Sequence, residues 1–296
     1  MERKKVTIPD LLKMKQGNRK ITVLTAYDFP IAVALEKAAI DIILVGDSLG
    51  NVVLGYDSTV PVTMDEMIHH TKAVNRGRKK SLLVADMPFM SFNITPRKTI
   101  INAGRFIKEA GADAVKLEGA NPHIISIVKA VVRAGIPVMG HLGLTPQTAT
   151  ALGGYKVQGK DTKSADIIMR QAIALEQAGC FSIVFECIPE TLADEITKKL
   201  KIPTIGIGAG KGCDGQVLVT YDLLGFSDGF TPKFVKKYAD ISTQISKAIE
   251  NFKEDVEKGN FPGPEPDAVR HTGPMILKVD PQANPIDGTA GAGQSV

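Results

Sequence analysis

The strongest constraint on the fold is a short apolar run that recurs along the chain and each time ends on an acid. Ile42-Ile43-Leu44-Val45 leads into Gly46-Asp47-Ser48, and Leu82-Leu83-Val84-Ala85 ends on Asp86. Ala114-Val115-Lys116-Leu117 ends on Glu118, and Ile183-Val184-Phe185 ends on Glu186. Runs this short and this rich in Ile, Val and Leu read as strands buried on both faces, as in a parallel sheet covered by helices. A buried strand has no structural need to finish on a carboxylate. Four that do so place chemistry at the carboxyl rim of the sheet.

The intervals between these strands carry helix signals. Thr63 with Glu66 makes a capping box, and Thr95-Pro96, Asn121-Pro122 and Pro189-Glu190 mark further helix starts. Additional strands are expected at 21–25, 136–141, 202–208 and, more weakly, 217–219. An amphipathic helix with Pro9 in its first turn is expected within 6–19, one from Pro30 to about Lys37, and a long closing helix from Pro232 to about Lys258. Ala38-Ala39, Gly111, Gly135 and Gly179 each end a helix just before a strand. The helix-to-strand turns are therefore short, whereas the strand-to-helix segments 48–62 and 142–162 are long and polar. That asymmetry, with about eight βα units, predicts a (β/α)₈ barrel; a doubly wound open sheet is the alternative. One catalytic domain is expected over 1–258, including the N-terminal helix. Gly and Pro make up roughly a third of 259–296, which is expected to be an irregular, low-complexity tail.

Composition excludes several classes. The net charge of +4 comes from scattered basic residues, and aromatics are 5% with no Trp, so neither a nucleic-acid stripe nor a base-stacking platform is expected. Apolar residues at 44% suit a soluble globular protein, and no run approaches the ~20 residues of a membrane span. Cys180, Cys187 and Cys213 show no CxxC spacing, and Met1–Lys5 opens no signal peptide. A reduced, cytoplasmic protein is the expectation.

Strand alternation pairs Val45 with Asp47, Val84 with Asp86, Lys116 with Glu118 and Val184 with Glu186 on shared faces. On consecutive parallel strands only ~5 Å apart, Asp47, Asp86 and Glu118 would raise one another's pKa unless a cation lay among them. A donor set of oxygens alone favours a hard ion, Mg²⁺ first. Lys116 is either the counter-ion of Glu118 or the anchor of an anionic substrate. Glu186, in an apolar mouth, is either a general base or a helix-capping acid before Pro189. Ser48 is a turn residue or a carboxylate binder. For His141 the favoured reading is a core histidine bonded to a loop carbonyl. Gly206-Ile207-Gly208-Ala209-Gly210 is followed by Lys211-Gly212-Cys213-Asp214-Gly215 rather than a helix, which argues against a dinucleotide fingerprint.

Taken together, a set of stretches resembles the ketopantoate hydroxymethyltransferase family. They are Thr25-Ala26-Tyr27-Asp28, Val45-Gly46-Asp47-Ser48-Leu49-Gly50, Asp57-Ser58-Thr59 and Ala85-Asp86-Met87-Pro88-Phe89-Met90. Val115-Lys116-Leu117-Glu118-Gly119, Gly140-His141-Leu142-Gly143-Leu144-Thr145-Pro146-Gln147, Gly153-Gly154-Tyr155-Lys156-Val157-Gln158-Gly159, Glu186-Cys187-Ile188-Pro189 and Gly208-Ala209-Gly210 complete it. The resemblance covers about 7–262 and leaves the tail unmatched. It implies a barrel of the phosphoenolpyruvate/pyruvate-binding type, assembled as a homo-oligomer, often a decamer. It further implies Mg²⁺ at Asp47, Asp86 and Glu118, substrate contacts at Asp47, Ser48, Asp86 and Lys116, and Glu186 as proton acceptor. The implied reaction moves a hydroxymethyl group from 5,10-methylenetetrahydrofolate to 3-methyl-2-oxobutanoate through a Mg²⁺-stabilised enolate, giving 2-dehydropantoate for pantothenate synthesis. The loops after Asp47 and His141 are expected to cover the site and shape a folate cleft. Two alternatives remain at this level: a Mg²⁺-dependent C–C lyase, whose usual Lys-Lys-Cys-Gly loop is missing from the sequence, and a non-catalytic carboxylate-binding barrel.

Overall fold

The computed structural model describes residues 3–226 and 232–263. The chain divides after Ser242 into two compact units. In the first, eight strands close a barrel: β1 (Ile21–Thr25), β2 (Ile42–Val45), β3 (Leu82–Asp86), β4 (Ala114–Glu118), β5 (Val138–Gly143), β6 (Ser182–Glu186), β7 (Thr204–Ile207) and β8 (Gly215–Leu218). Every neighbouring pair is parallel, and β8 returns to β1 with Ile21 opposite Gly215. The helices are α1 (Ile8–Gln16), α2 (Phe29–Lys37), α3 (Leu49–Val52), α4 (Met64–Gly77), α5 (Pro96–Lys108), α6 (Pro122–Arg133), α7 (Thr162–Ala178), α8 (Glu190–Lys199) and α9 (Thr220–Leu224). The expected barrel is thus the observed fold.

Alternation divides the core into two layers. Ile42, Leu44, Leu82, Val84, Ala114, Met139, Val184 and Ile205 fill the barrel, and Leu11 and Met14 of α1 join them. Ile43, Val45, Leu83, Val115, Leu117 and Phe185 pack outward against the helices. The strands are buried on both sides, which is why they read as unbroken apolar runs. At the amino rim, Asp41, Asp113 and Asp214 sit immediately before β2, β4 and β8. Each accepts the backbone N–H of a neighbouring strand, from Thr22, Leu83 and Thr204 respectively. Each also meets a cation: Arg19 at 2.8 Å, Arg78 at 2.6 Å and Lys15 at 2.7 Å. Acids at this end are fully paired. Those at the other end are not.

The helix starts follow the expected chemistry. Thr63 and Glu66 form the reciprocal capping box of α4, and Thr95 and Asn121 accept from the first turns of α5 and α6. Four local expectations are corrected. Strand β2 stops at Val45, whose side chain faces the helices, so Asp47 does not share its face. The turn at Gly46 re-aims the chain and brings Asp47 inward. Segment 48–62 is interrupted by α3. Strand β5 begins at Val138 rather than Ile136, because Pro137 has no N–H for the ladder. No helix starts at Pro232. Instead the Tyr238 and Ser242 N–H groups donate to the carbonyls of Leu223 and Gly225, and the helix α10 begins only at Ile241 and ends at Glu257. In the second unit Phe252 of α10 packs edge-on to Phe261, with ring centroids 5.4 Å apart. The tail reading for 264–296 lies outside the described residues. Among those described, no helix is long and apolar enough to cross a membrane.

Candidate active site

Barrel register sets the site. Asp86 lies opposite Lys116 across β3 and β4, Glu118 opposite His141 across β4 and β5, and Gly143 opposite Glu186 across β5 and β6. These side chains form a continuous arc inside the carboxyl rim, and Asp47 enters from the turn after β2. Asp47, Asp86, Lys116, Glu118 and His141 are all at least 93% buried.

Lys116 Nζ stands 2.9 Å from Asp86 Oδ1 and 3.3 Å from His141 Nδ1. Its ion-pair partner is therefore Asp86, directly opposite on the next strand, rather than Glu118 two residues along its own. The His141 Nε2–H donates to the Leu144 carbonyl at 2.7 Å, the loop carbonyl bond expected for a core histidine. That bond makes Nδ1 the acceptor facing Lys116. His141 Nε2 also lies 3.4 Å from Glu186 Oε2, whose side chain is 17% exposed. The helix-capping alternative for Glu186 does not hold, since α8 has Pro189 at its N-cap and no side-chain cap bond. Ser48 Oγ is 2.8 Å from the hydroxyl of Tyr27, which is wholly buried.

The electrostatics follow from burying several carboxylates around one ammonium. Burial, then the nearby Asp86 charge, pushes Asp47 up to about 6. Burial raises Asp86 despite Lys116 beside it. It raises Glu118 well above the carboxylate range, with Asp47 adding to the effect. Glu186 is pushed up to about 8, mainly by burial, with Asp47 and Asp86 adding and Lys116 opposing. Burial pulls Lys116 down, but Asp86, Glu118 and Asp47 together leave it raised overall and firmly charged. His141 is driven well below its usual value by burial and by Lys116, so the imidazole is neutral. Of the expected mutual raising, the Asp86 charge raises Asp47 and the Asp47 and Asp86 charges raise Glu118, whereas Asp86 itself is raised by burial alone.

Two residues that sequence reasoning assigned no role enter the cluster. Gln147, in a 3₁₀ turn after β5 (Pro146–Thr148), donates its amide Nε2–H to Asp47 Oδ2 at 2.8 Å and to the Met87 carbonyl at 2.9 Å. Its backbone N–H donates to Glu118 Oε2 at 3.2 Å. Tyr27 supports Ser48. Both belong to stretches singled out for resemblance, and an amide inside a long loop was the available signal for Gln147. Among the described residues, no three His, Cys, Asp or Glu side chains converge tightly enough to hold a metal by themselves. Gln147 bridges Asp47 and Glu118, its side chain bonding the one and its backbone N–H the other.

The closed eight-stranded parallel barrel resembles, in fold, solved structures that include a member of the phosphoenolpyruvate mutase/isocitrate lyase superfamily. The chain superposes on a phosphoenolpyruvate phosphomutase from Streptomyces platensis subsp. rosaceus with a TM-score of 0.58 at 14% identity, covering 85% of this chain and 88% of that one. It matches 2,3-dimethylmalate lyase, a member of that superfamily, with a TM-score of 0.55 at 12% identity over 90% and 92% of the two chains. At such identities the likeness establishes the fold alone. The family is given by sequence: residues 5–264 match the model for ketopantoate hydroxymethyltransferase. A 3-methyl-2-oxobutanoate hydroxymethyltransferase from Carboxydothermus hydrogenoformans is 57% identical over 258 residues, covering 87% of this chain and 93% of that protein. The chain belongs to the ketopantoate hydroxymethyltransferase family. It is an enzyme that transfers a hydroxymethyl group to 3-methyl-2-oxobutanoate.

Proposed function

We propose that the transfer proceeds through the enolate of 3-methyl-2-oxobutanoate, with Glu186 as base and 5,10-methylenetetrahydrofolate as one-carbon donor. The observation that carries this reading is the placement of Glu186, beside His141 at the mouth of a buried cluster that holds a fixed ammonium, where burial pushes its carboxyl up to about 8. A base with a pKa near the working pH is the effective one for removing a C–H proton.

The donor set fits a divalent cation. Asp47 and Asp86 offer buried oxygens, the Asp86 charge raising Asp47, and Asp86 Oδ1 meets Lys116 at ion-pair distance without an aligned hydrogen bond. A hard ion such as Mg²⁺ takes one or two protein carboxylates and fills its remaining positions with water and substrate. Asp47 and Asp86 would hold it, with Glu118 acting through water. Bound there, a divalent cation supplies Lewis-acid polarisation of the 2-oxo group.

The chain's own residues account for the remaining steps. Ser48, held by Tyr27, binds the substrate carboxylate with Asp47 and Asp86 at its flank. Glu186 removes the C3 proton. Lys116, kept charged by Asp86, faces the oxygen where negative charge develops. His141, neutral and fixed by Leu144, accepts from Lys116 at Nδ1 and stands beside Glu186. The C3 carbanion then forms the new C–C bond to the donor's methylene carbon. One water is consumed overall as tetrahydrofolate leaves and 2-dehydropantoate forms. Exposed Met90 and Ile94 after β3, with Tyr155 and Val157 after β5, suit the rings of the donor. Family membership supports a homo-oligomer, for which mass measurement in solution is the check.

The test is exchange of the C3 proton of 3-methyl-2-oxobutanoate in D₂O, followed by NMR without folate. Exchange is expected with Mg²⁺, lost on chelation and in Asp86→Asn. In Glu186→Gln it falls about 10²-fold or more, the usual worth of a positioned base. Exchange that survives Glu186→Gln at full rate removes Glu186 from this role.

A further inference from the structure

Gln147 has no part in the steps above, yet it is where the segment between β5 and α7 enters the acid cluster. It is 95% buried. One side chain and its own peptide reach Asp47, the Met87 carbonyl and Glu118, spanning the rims of β2, β3 and β4. The amide oxygen Oε1 is buried with no partner in the protein. A tie that served packing alone would have no reason to bury an unmet acceptor, which is destabilising. The same segment is footed twice on the strand end that carries the base. The Leu144 N–H donates to the Glu186 carbonyl at 2.8 Å, and the Gln158 N–H donates to the Cys187 carbonyl at 2.9 Å. Tyr155, Lys156 and Val157 lie exposed between these feet.

We propose that Gln147 is a positioning residue that sets Asp47 and Glu118 for the divalent cation and ties that setting to the placement of residues 148–157. The Nε2–H bond to Asp47 Oδ2 turns the other carboxylate oxygen toward the cluster, and Oε1 accepts from the water or hydroxyl that fills it. Outer partners of this kind commonly govern metal affinity without touching the metal. By linkage, a cation that prefers the tied arrangement also steadies the loop, and the loop favours the cation equally. The inference rests on Asp47 and Asp86 being the cation's ligands.

The experiment uses the full chain with 3-methyl-2-oxobutanoate and Mn²⁺ as probe, reading free Mn²⁺ by electron paramagnetic resonance and tryptic cleavage after Lys156 by mass spectrometry. Gln147→Met keeps the length of the side chain and removes both polar atoms; Gln147→Leu is the second variant should the first not fold. The wild type is expected to bind Mn²⁺ and to slow cleavage at Lys156 when loaded, and Asp86→Asn to lose both. The Gln147 variant is expected to bind about tenfold more weakly or worse and to show no protection at Lys156. Wild-type affinity or wild-type protection in that variant overturns the inference while leaving the cation site intact. Mn²⁺ binding that is undiminished in Asp86→Asn removes the cation site itself, and the inference with it.

Discussion

Glu186 shows how a single residue's setting turns into behaviour of the whole protein. Its carboxyl is raised from 4.5 to about 8, so between those values the folded chain holds a proton that the unfolded chain has released. Stability therefore falls as pH rises across that window and is lowest above it. Asp47, raised from 3.8 to about 6, acts in the same direction at lower pH. For metal-free protein, urea denaturation at pH 5 and pH 8.5 should show a loss on the order of a few kcal/mol at the higher pH. Glu186→Gln, which cannot ionise, should lose clearly less; an equal loss would mean the strain resides elsewhere. Gly143 is the other residue whose identity is dictated here. Its φ of 97° is left-handed, and a Cβ would collide with the Glu186 carbonyl. A side chain at that position would displace Glu186, the proposed base, from its strand end.

At the scale of elements, the barrel separates stability from chemistry. The amino rim staples strands with fully paired acids, and of these three Asp113 is the one that pairs with two cations. It accepts the Leu83 N–H and pairs with both Arg78 and Lys5. Asp113→Ala leaves Arg78, which is 91% buried, without its charge partner, a change that commonly costs about 3–5 kcal/mol. Urea unfolding should record that loss, whereas proton exchange per folded molecule should stay near wild type, because the carboxyl rim is untouched. The helix boundaries were legible for a local reason: Thr63, Thr95 and Asn121 make their capping bonds within three residues. The start of α10 was not legible, because its delay depends on carbonyls of Leu223 and Gly225 that the chain meets only after turning back.

Across the whole molecule, the acid cluster is a reserve of unfavourable charge that the proposed cation would relieve. A ligand that binds only the folded state stabilises it by RT ln(1 + [L]/Kd), about 2.7 kcal/mol at a hundred times Kd. Mg²⁺ at that excess should raise the midpoint of thermal unfolding, and chelation should reverse the rise. Asp86→Asn, lacking one of the two carboxylates proposed to hold the cation, should show little of either. A wild type indifferent to Mg²⁺ would count against the cation site.

Sequence alone located the eight strands, pointed to a parallel sheet and marked the rim that carries the acids; the closed order came from the tertiary structure. The first three depend on burial and spacing along a few residues, and buried strands leave an apolar run that water cannot disguise. Sequence also put Asp86 on the face of Val84, Lys116 on that of Glu118 and Glu186 on that of Val184, since alternation is a local property; that these faces point inward came from the closed barrel. Only the tertiary structure decided the partners. That Lys116 serves Asp86 follows from the register between β3 and β4, and that Asp47 points inward follows from the turn at Gly46. Gln147 reaches Asp47 across a hundred residues of chain, a contact created by closing the barrel and invisible to any pattern in neighbouring positions.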